Sequence, residues 1–309
     1  MFDSIIRTHA PYLWERGLRG NGVRVGVVGT GVDLRHPDFA GARIQAFSII
    51  GGDTEDHTEH DTGVVWVIHR IAPAAEITLI KAQQNENGSL FHVIESLEKL
   101  RELHMDLINL SMCTKWPSDG TDPLSREANY LVQQGIVMVA AAGNWGPRKG
   151  TIGAPGAAEY AITVGKVDER NFVTRDSSRG PTIDGRMKPD LVAPGKDVVA
   201  AVPLASGTRL GIYNCTSFST PHVTGVLALL KGAFPVASPK LLKDALRETC
   251  DPILAPFPFP FPFPFHIAPC KSCPGRRQCM STAGNWRRSC DCGAGLLNAE
   301  AAYGWLKDQ

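Results

Sequence analysis

Short apolar runs alternate with longer amphipathic stretches along most of this chain, and that alternation restricts the fold more than any other feature. Val23 to Val28, Ile77 to Lys81, Leu107 to Leu110, Ile136 to Ala140 and Ala161 to Val164 have the length and apolar character of buried strands. Leu90 to His104, Leu124 to Gln134, Ser217 to Lys231 and Lys240 to Glu248 have helical spacing instead. Strands apolar on both faces and separated by helices imply parallel pairing, with crossover helices covering both sides. The expected architecture is therefore a three-layer α/β fold around a doubly wound, mostly parallel sheet. With 309 residues, 43% of them hydrophobic, the chain can bury one large core, so a single domain over residues 1–309 is expected. A net charge of +1 gives no electrostatic basis for binding nucleic acid or an anionic membrane. No apolar run reaches the ~18 residues of a membrane span.

Within that frame the segment Asn214-Cys215-Thr216-Ser217-Phe218-Ser219-Thr220-Pro221-His222-Val223-Thr224-Gly225 stands out, because the apolar run Val226 to Leu230 follows it directly. A small hydroxyl residue opening a hydrophobic helix, with Pro one turn in, reads as a nucleophile at a helix N-terminus. Unpaired N–H groups and the helix dipole favour negative charge there, and negative charge is what an acyl-transfer intermediate develops. Capping by Thr216 or Ser217 would explain the hydroxyls alone.

Further blocks follow in a fixed order. They are Val23 to Val28 ending in Gly29-Thr30-Gly31-Val32-Asp33, with His36-Pro37-Asp38-Phe39 beyond; His60-Asp61-Thr62-Gly63-Val64-Val65; Asp106 to Met112; Val139 to Asn144; Ser178 to Pro181; Lys188 to Gly195; and Gly293 to Ala299. With the Ser217 segment they resemble the subtilisin-like serine peptidases, the subtilases of peptidase family S8, over nearly the whole chain. The resemblance implies a peptidase site at the carboxyl ends of the strands. It implies Ser217 as nucleophile, His60 as base and Asn144 as the side-chain donor to the oxyanion, together with the backbone N–H of Ser217. It also implies a substrate cleft lined by Ser111, Met112, Cys113, Ala141, Gly143 and Cys215, and a polypeptide partner. The other eight of the nine histidines read as surface, packing or capping residues, and His222 points away from the nucleophile by helical spacing.

The chain departs from the family pattern at the same cleft. The position of the acid that orients the base is Gly29, and losing that acid with the geometry otherwise intact costs about four powers of ten in turnover. Restoring Asp at position 29 is therefore expected to raise the rate. Other carboxylates are less promising: Asp33 lies beyond a turn, and Asp53, Asp56 and Glu59 read as solvated loop residues. Asp61, one residue from His60 on a helix, should point about 100° away from it. Cys113 and Cys215 stand where the family has Gly, which should narrow the pocket ahead of the scissile bond; a disulfide between them would close it, given Cα atoms within about 7 Å. Gly63 replaces a second His, and Trp66 a small helix residue. Asp38 remains, but the stretch from His60 to Pro73 is shorter than in calcium-binding subtilisins, which argues against calcium; no cofactor is expected.

Pro256 to Phe265 is five Pro-Phe repeats, which suit an extended polyproline-like loop. Six of the eight cysteines, Cys250, Cys270, Cys273, Cys279, Cys290 and Cys292, lie in or beside this tail. Their spacing fits structural zinc poorly, so disulfides are expected in preference. Disulfides point to secretion, whereas Met1 as a native start, with neither signal peptide nor folding pro-domain ahead of the first strand, points to the cytoplasm. A monomer is expected. Three functions remain open: an endopeptidase with a damaged or rewired triad and a base titrating near about 6.5 if unperturbed, a pseudopeptidase that only holds extended peptides, and, more weakly, a zinc-dependent interaction protein using the tail.

Overall fold

The computed structural model describes residues 3–85, 88–254, 285–286 and 289–309. Its centre is a seven-stranded, all-parallel sheet of β1 (Arg24–Gly29), β2 (Ile44–Ser48), β3 (Glu76–Lys81), β4 (Leu107–Leu110), β5 (Val137–Ala141), β6 (Ile162–Val167) and β7 (Leu191–Pro194). The order is β2-β3-β1-β4-β5-β6-β7. Connections leave β1 and β4 in opposite directions, so the crevice between their carboxyl ends is the switch point where an α/β sheet receives ligand.

Eight helices are described: α1 (Asp3–Ile6), α2 (Ala10–Glu15), α3 (Asp61–Ile71), α4 (Leu90–Glu102), α5 (Pro123–Gln133), α6 (Thr216–Ala233), α7 (Pro239–Glu248) and α8 (Ala299–Lys307). Side chains alternate across each strand, and the cores divide accordingly. Val25, Val27, Ile77, Leu79, Leu107, Val137 and Val139 pack with α3, α6 and α7 on one face. Val28, Ile80, Ile108, Leu110 and Met138 meet α4 and α5 on the other. An antiparallel pair, β8 (Val198–Ala201) with β9 (Leu210–Tyr213), packs beside α3, and β10 (Ile253–Leu254) pairs antiparallel with β11 (Asn285–Trp286).

The helices begin where local chemistry allows. Asp122 accepts from Ser125 N and Ser238 from Leu241 N, and Pro123 and Pro239 follow them in the first turns of α5 and α7, where a missing N–H costs nothing. The strand and helix expectations agree with these elements to within one to three residues at their ends. The sequence reading missed β2 because it is an edge strand with partly exposed side chains rather than a continuous apolar run.

Beside the sheet, Asp190 joins three elements. Its Oδ2 accepts from Thr163 N of β6 (2.9 Å) and from Lys188 Nζ (2.7 Å), while Oδ1 faces Lys243 and Arg247 of α7 at 3.2 and 3.8 Å. Burial drives the Lys188 ammonium down to about 7 against the opposing charge of Asp190. Burial alone would raise the Asp190 carboxyl, but Lys188, Lys243 and Arg247 hold it far below the usual carboxylate range. The Cys292 thiol is buried and free, 3.2 Å from Ser289 Oγ. Cys270, Cys273, Cys279 and the Pro-Phe repeats lie outside the described residues. Among the described residues no helix is long and apolar enough to cross a membrane.

Removing one member of a buried charge cluster strands the others, so Asp190→Ala should lower unfolding free energy by about 3–5 kcal/mol, read from urea denaturation. A loss under about 1 kcal/mol, the range of a surface pair, would mean that the cluster does not hold α7 to the sheet.

Candidate active site

Ser217 is the second residue of α6, a helix whose residues from Thr216 to Leu230 are all buried. A helix buried on every side must satisfy its exposed backbone groups with protein partners. Pro221 makes this acute, because it has no N–H to give to the carbonyl four residues back, which is that of Ser217. Ser111 Oγ supplies the missing donor to Ser217 O at 2.7 Å. Ser111 is in turn held by Asn109 Nδ2 at 2.9 Å, and Asn109 Oδ1 accepts from Thr224 Oγ1 of α6 at 2.8 Å. This buried chain runs from α6 to β4 and back, and fixes the height of Ser217 above the sheet. Ser111, expected to line the substrate cleft, has its hydroxyl committed to the helix. The signal that could have found this is Pro221, four residues after Ser217.

At the end of β5 the chain turns through Gly143 at φ +105°, where a Cβ would also strike Trp145 and Ser178. Its N–H donates to Thr216 Oγ1 at 3.2 Å. Asn144 Oδ1 accepts from Thr216 N at 2.9 Å, which commits the carbonyl end of the amide and leaves its NH₂ beside the α6 N-terminus. Ala141 ends β5 one strand width from β4.

His60 is the N-cap of α3, partly exposed, with its ring edge-on to Phe218 at 5.7 Å between centroids. Its Nδ1 lies 2.9 Å from Asp61 Oδ1. The expectation that Asp61 points away is therefore wrong. Neighbours inside a helix diverge by about 100°, but His60 stands at the helix entrance with φ −108° and ψ −61°, where no earlier turn obstructs either side chain. The other acids are committed elsewhere: Asp33 to Arg35 and Leu204 N, Asp53 to Lys81 and His57, Asp56 to the backbone of Thr58 and Thr62, and Glu59 to Ser206. Burial tends to lower the His60 pKa, but the charge and hydrogen bond of Asp61, with a smaller contribution from Cys215, raise it well above the ordinary imidazole value.

Cys215 and Cys113 do not act as a pair. Both carry free thiols, so no disulfide closes the cleft. Burial raises the pKa of the Cys215 thiol, yet His60, Ser217 and Lys166 lower it overall. Cys215 is the N-cap residue of α6. Cys113 Sγ lies 3.5 Å from Ala142 O, and a Cβ at Gly153 would sit 2.9 Å from it; burial pushes this thiol up to about 12. Met112 packs into the core on the α4–α5 face. His222 is buried, its Nδ1–H donates to Phe218 O at 2.7 Å, and burial brings its pKa down to about 4, so it packs rather than reacts.

Asp38 does not fit a calcium ligand. Its Oδ2 accepts from the Trp66 indole at 2.8 Å and its Oδ1 from Arg209 Nη2 at 2.7 Å, a donor and a cation where a metal would need free lone pairs. Gly63 has no room for a side chain, since a Cβ would lie 2.8 Å from the Phe218 ring.

The sequence profile described as the Subtilase family matches residues 20–259. Serine protease AprX of Bacillus subtilis is 29% identical over 288 residues, covering 79% of this chain and 65% of that protein. Subtilisin Savinase of Lederbergia lenta is 31% identical over 255 residues, covering 79% and 89%. The chain spans 65%, 63% and 61% of the lengths of AprX, M-protease and Thermophilic serine proteinase. Among solved structures, the prenylagaramide maturation protease PagA superposes with a TM-score of 0.73 at 22% identity, over 96% of this chain and 98% of that one. A lanthipeptide protease superposes with a TM-score of 0.76 at 19% identity, over 99% and 94%. At these identities the likeness is one of fold.

Ser111→Ala leaves the Ser217 carbonyl and the Asn109 amide without their partner in a buried setting. The expected cost is about 1–3 kcal/mol of stability, measured by thermal or denaturant unfolding; an unchanged stability would show that the chain from Thr224 to Ser217 does not brace α6.

Proposed function

The chain belongs to the Subtilase family, and from that premise we propose that it is a serine endopeptidase acting on polypeptides through Ser217 and His60. The observation that carries this reading is the edge-on contact of the His60 ring with Phe218, 5.7 Å between centroids, which sets the base against the residue that follows Ser217 at the start of α6. His60 takes the Ser217 proton as Oγ bonds to the scissile carbonyl carbon. The oxygen of that carbonyl gains the negative charge and meets the Asn144 NH₂ and the Ser217 backbone N–H, at the positive end of α6. His60 then delivers the proton to the leaving amine as the C–N bond breaks. Water hydrolyses the resulting ester by the same route in reverse, with His60 again taking and returning a proton.

A fluorophosphonate probe tests the reading. Intact-mass analysis should find one adduct, located on Ser217, absent in Ser217→Ala and retained in Cys215→Ala. A folded protein that takes no adduct yet binds extended peptide would be a peptide-binding relative without chemistry.

The pH dependence follows from the raised His60 pKa. A general base works only when unprotonated, so kcat/KM should rise with pH through a midpoint above the usual imidazole value of about 6.5. This replaces the expectation for an unperturbed base; a midpoint at or below about 6.5 would contradict the influence of Asp61 on the ring.

A further inference from the structure

We infer that Asp61 is the positioning acid of His60, and that Gly29 and Asp61 are a coupled pair in which the carboxylate sits on the first residue of α3 because position 29 carries no side chain. The inference rests on the peptidase reading for its consequence in turnover, but its geometry stands apart from that reading.

Asp61 is 3% exposed side-chain surface, and each oxygen is engaged. Oδ1 lies 2.9 Å from His60 Nδ1, while Oδ2 accepts from Thr30 N at 2.6 Å and from Thr30 Oγ1 at 2.9 Å. Thr30 directly follows β1, so the carboxylate is clamped between the end of that strand and the imidazole. Among the described residues its one ion-pair partner is His60. Such a carboxylate fixes the ring orientation, keeps the proton on Nδ1 and leaves Nε2 as the accepting nitrogen.

Gly29 explains why the carboxylate fits. A Cβ built there would stand 2.0 Å from Asp61 Oδ2 and 2.5 Å from its Cγ. No Cβ approaches other atoms so closely, and the atoms in question are hydrogen-bonded on both sides and cannot swing away. Gly29 lies inside β1 and its φ is not in the left-handed region, so the backbone does not call for glycine; the carboxylate of Asp61 does. A side chain at 29 and a carboxylate at 61 exclude one another. Adding Asp at position 29 alone, which the sequence favoured as a repair, would drive its Cβ into the acid already present.

The titratable groups around His60 are few. Asp61 comes from its own helix and Cys215 from the residue before α6. Tyr213 lies further out; it stacks on Phe218 and donates to Glu59 O, with Asp56 on the same loop. Removing the Asp61 charge removes support for the imidazolium, so the His60 midpoint must fall.

Four variants test the pair: Asp61→Asn, Asp61→Gly, Gly29→Asp and the double variant Gly29→Asp with Asp61→Gly. Asp61→Asn should lower kcat by about three to four powers of ten and move the His60 titration, followed by imidazole NMR and by the pH profile, to lower pH. The NMR series is repeated in a Cys215→Ala background so that the thiol does not mask the shift. Gly29→Asp alone should be less active than wild type, and the double variant should exceed Asp61→Gly at least tenfold in kcat. A His60 midpoint unmoved in Asp61→Asn in both backgrounds would overturn the assignment, because a merely structural carboxylate would lower activity without moving the midpoint. A double variant no better than Asp61→Gly, or Gly29→Asp as active as wild type, would overturn the coupling. The NMR titration needs no turnover, so the positioning role is decided even if the protein proves not to be a peptidase or the double variant does not fold.

Discussion

Burial of α6 on every side is the constraint around which the rest is arranged. The helix runs against β4, β5, β6 and β7 and against α3, and water reaches almost none of its length. Its apolar part, Val226 to Leu230, belongs in such a place; its first three turns, with five hydroxyl residues and a histidine, are costly to bury wherever a polar group goes unmet. The hydrogen bonds with Ser111, Asn109, Asn144 and Gly143 meet the groups at the helix start, and they all involve the carboxyl ends of β4 and β5, whereas the buried Ser219 Oγ and His222 Nε2 have no hydrogen-bond partner among the described residues. Satisfying a buried helix start and aiming a serine at the switch point of the sheet are thus one structural act.

The same economy governs charge. Asp190 sits where three cations from two elements converge, and Lys166 and Lys81 lie buried against Asp176 and Asp53 with backbone carbonyls as second partners. Each would be costly alone. At the candidate active site the pairing is less complete: burial works against a charged His60 while Asp61 raises its pKa, and burial works against a charged Cys215 while His60 lowers its pKa. What distinguishes this site from the structural charge clusters is that its perturbed histidine stands beside a serine that opens a helix.

Several elements were readable from residues alone because local chemistry and burial agree in them. The continuous apolar runs of β1, β3, β4 and β5 are unambiguous, and α5 and α7 announce themselves with a capping residue followed by Pro. Where local pattern and tertiary role diverge, reading failed. β2 is an edge strand half in solvent, and the bracing of α6 by the Ser111 hydroxyl goes unseen until the missing N–H of Pro221 is traced to the carbonyl that Ser111 bonds.

By itself the sequence determined the parallel α/β framework, the serine at a helix start, the histidine and the asparagine, because periodicity, caps and motif order are properties of neighbouring residues. It also showed that position 29 lacks an acid. Only the tertiary structure decided what that absence means. Gly29 and Asp61 are 32 positions apart in the chain, and nothing local to either reveals that a β carbon at one and a carboxylate at the other compete for the same space. Helical periodicity even pointed the wrong way, since it describes residues within a helix and His60 stands at its entrance. Side-chain direction at an element boundary is set by what lies across the gap, here the Thr30 amide and the empty site above Gly29.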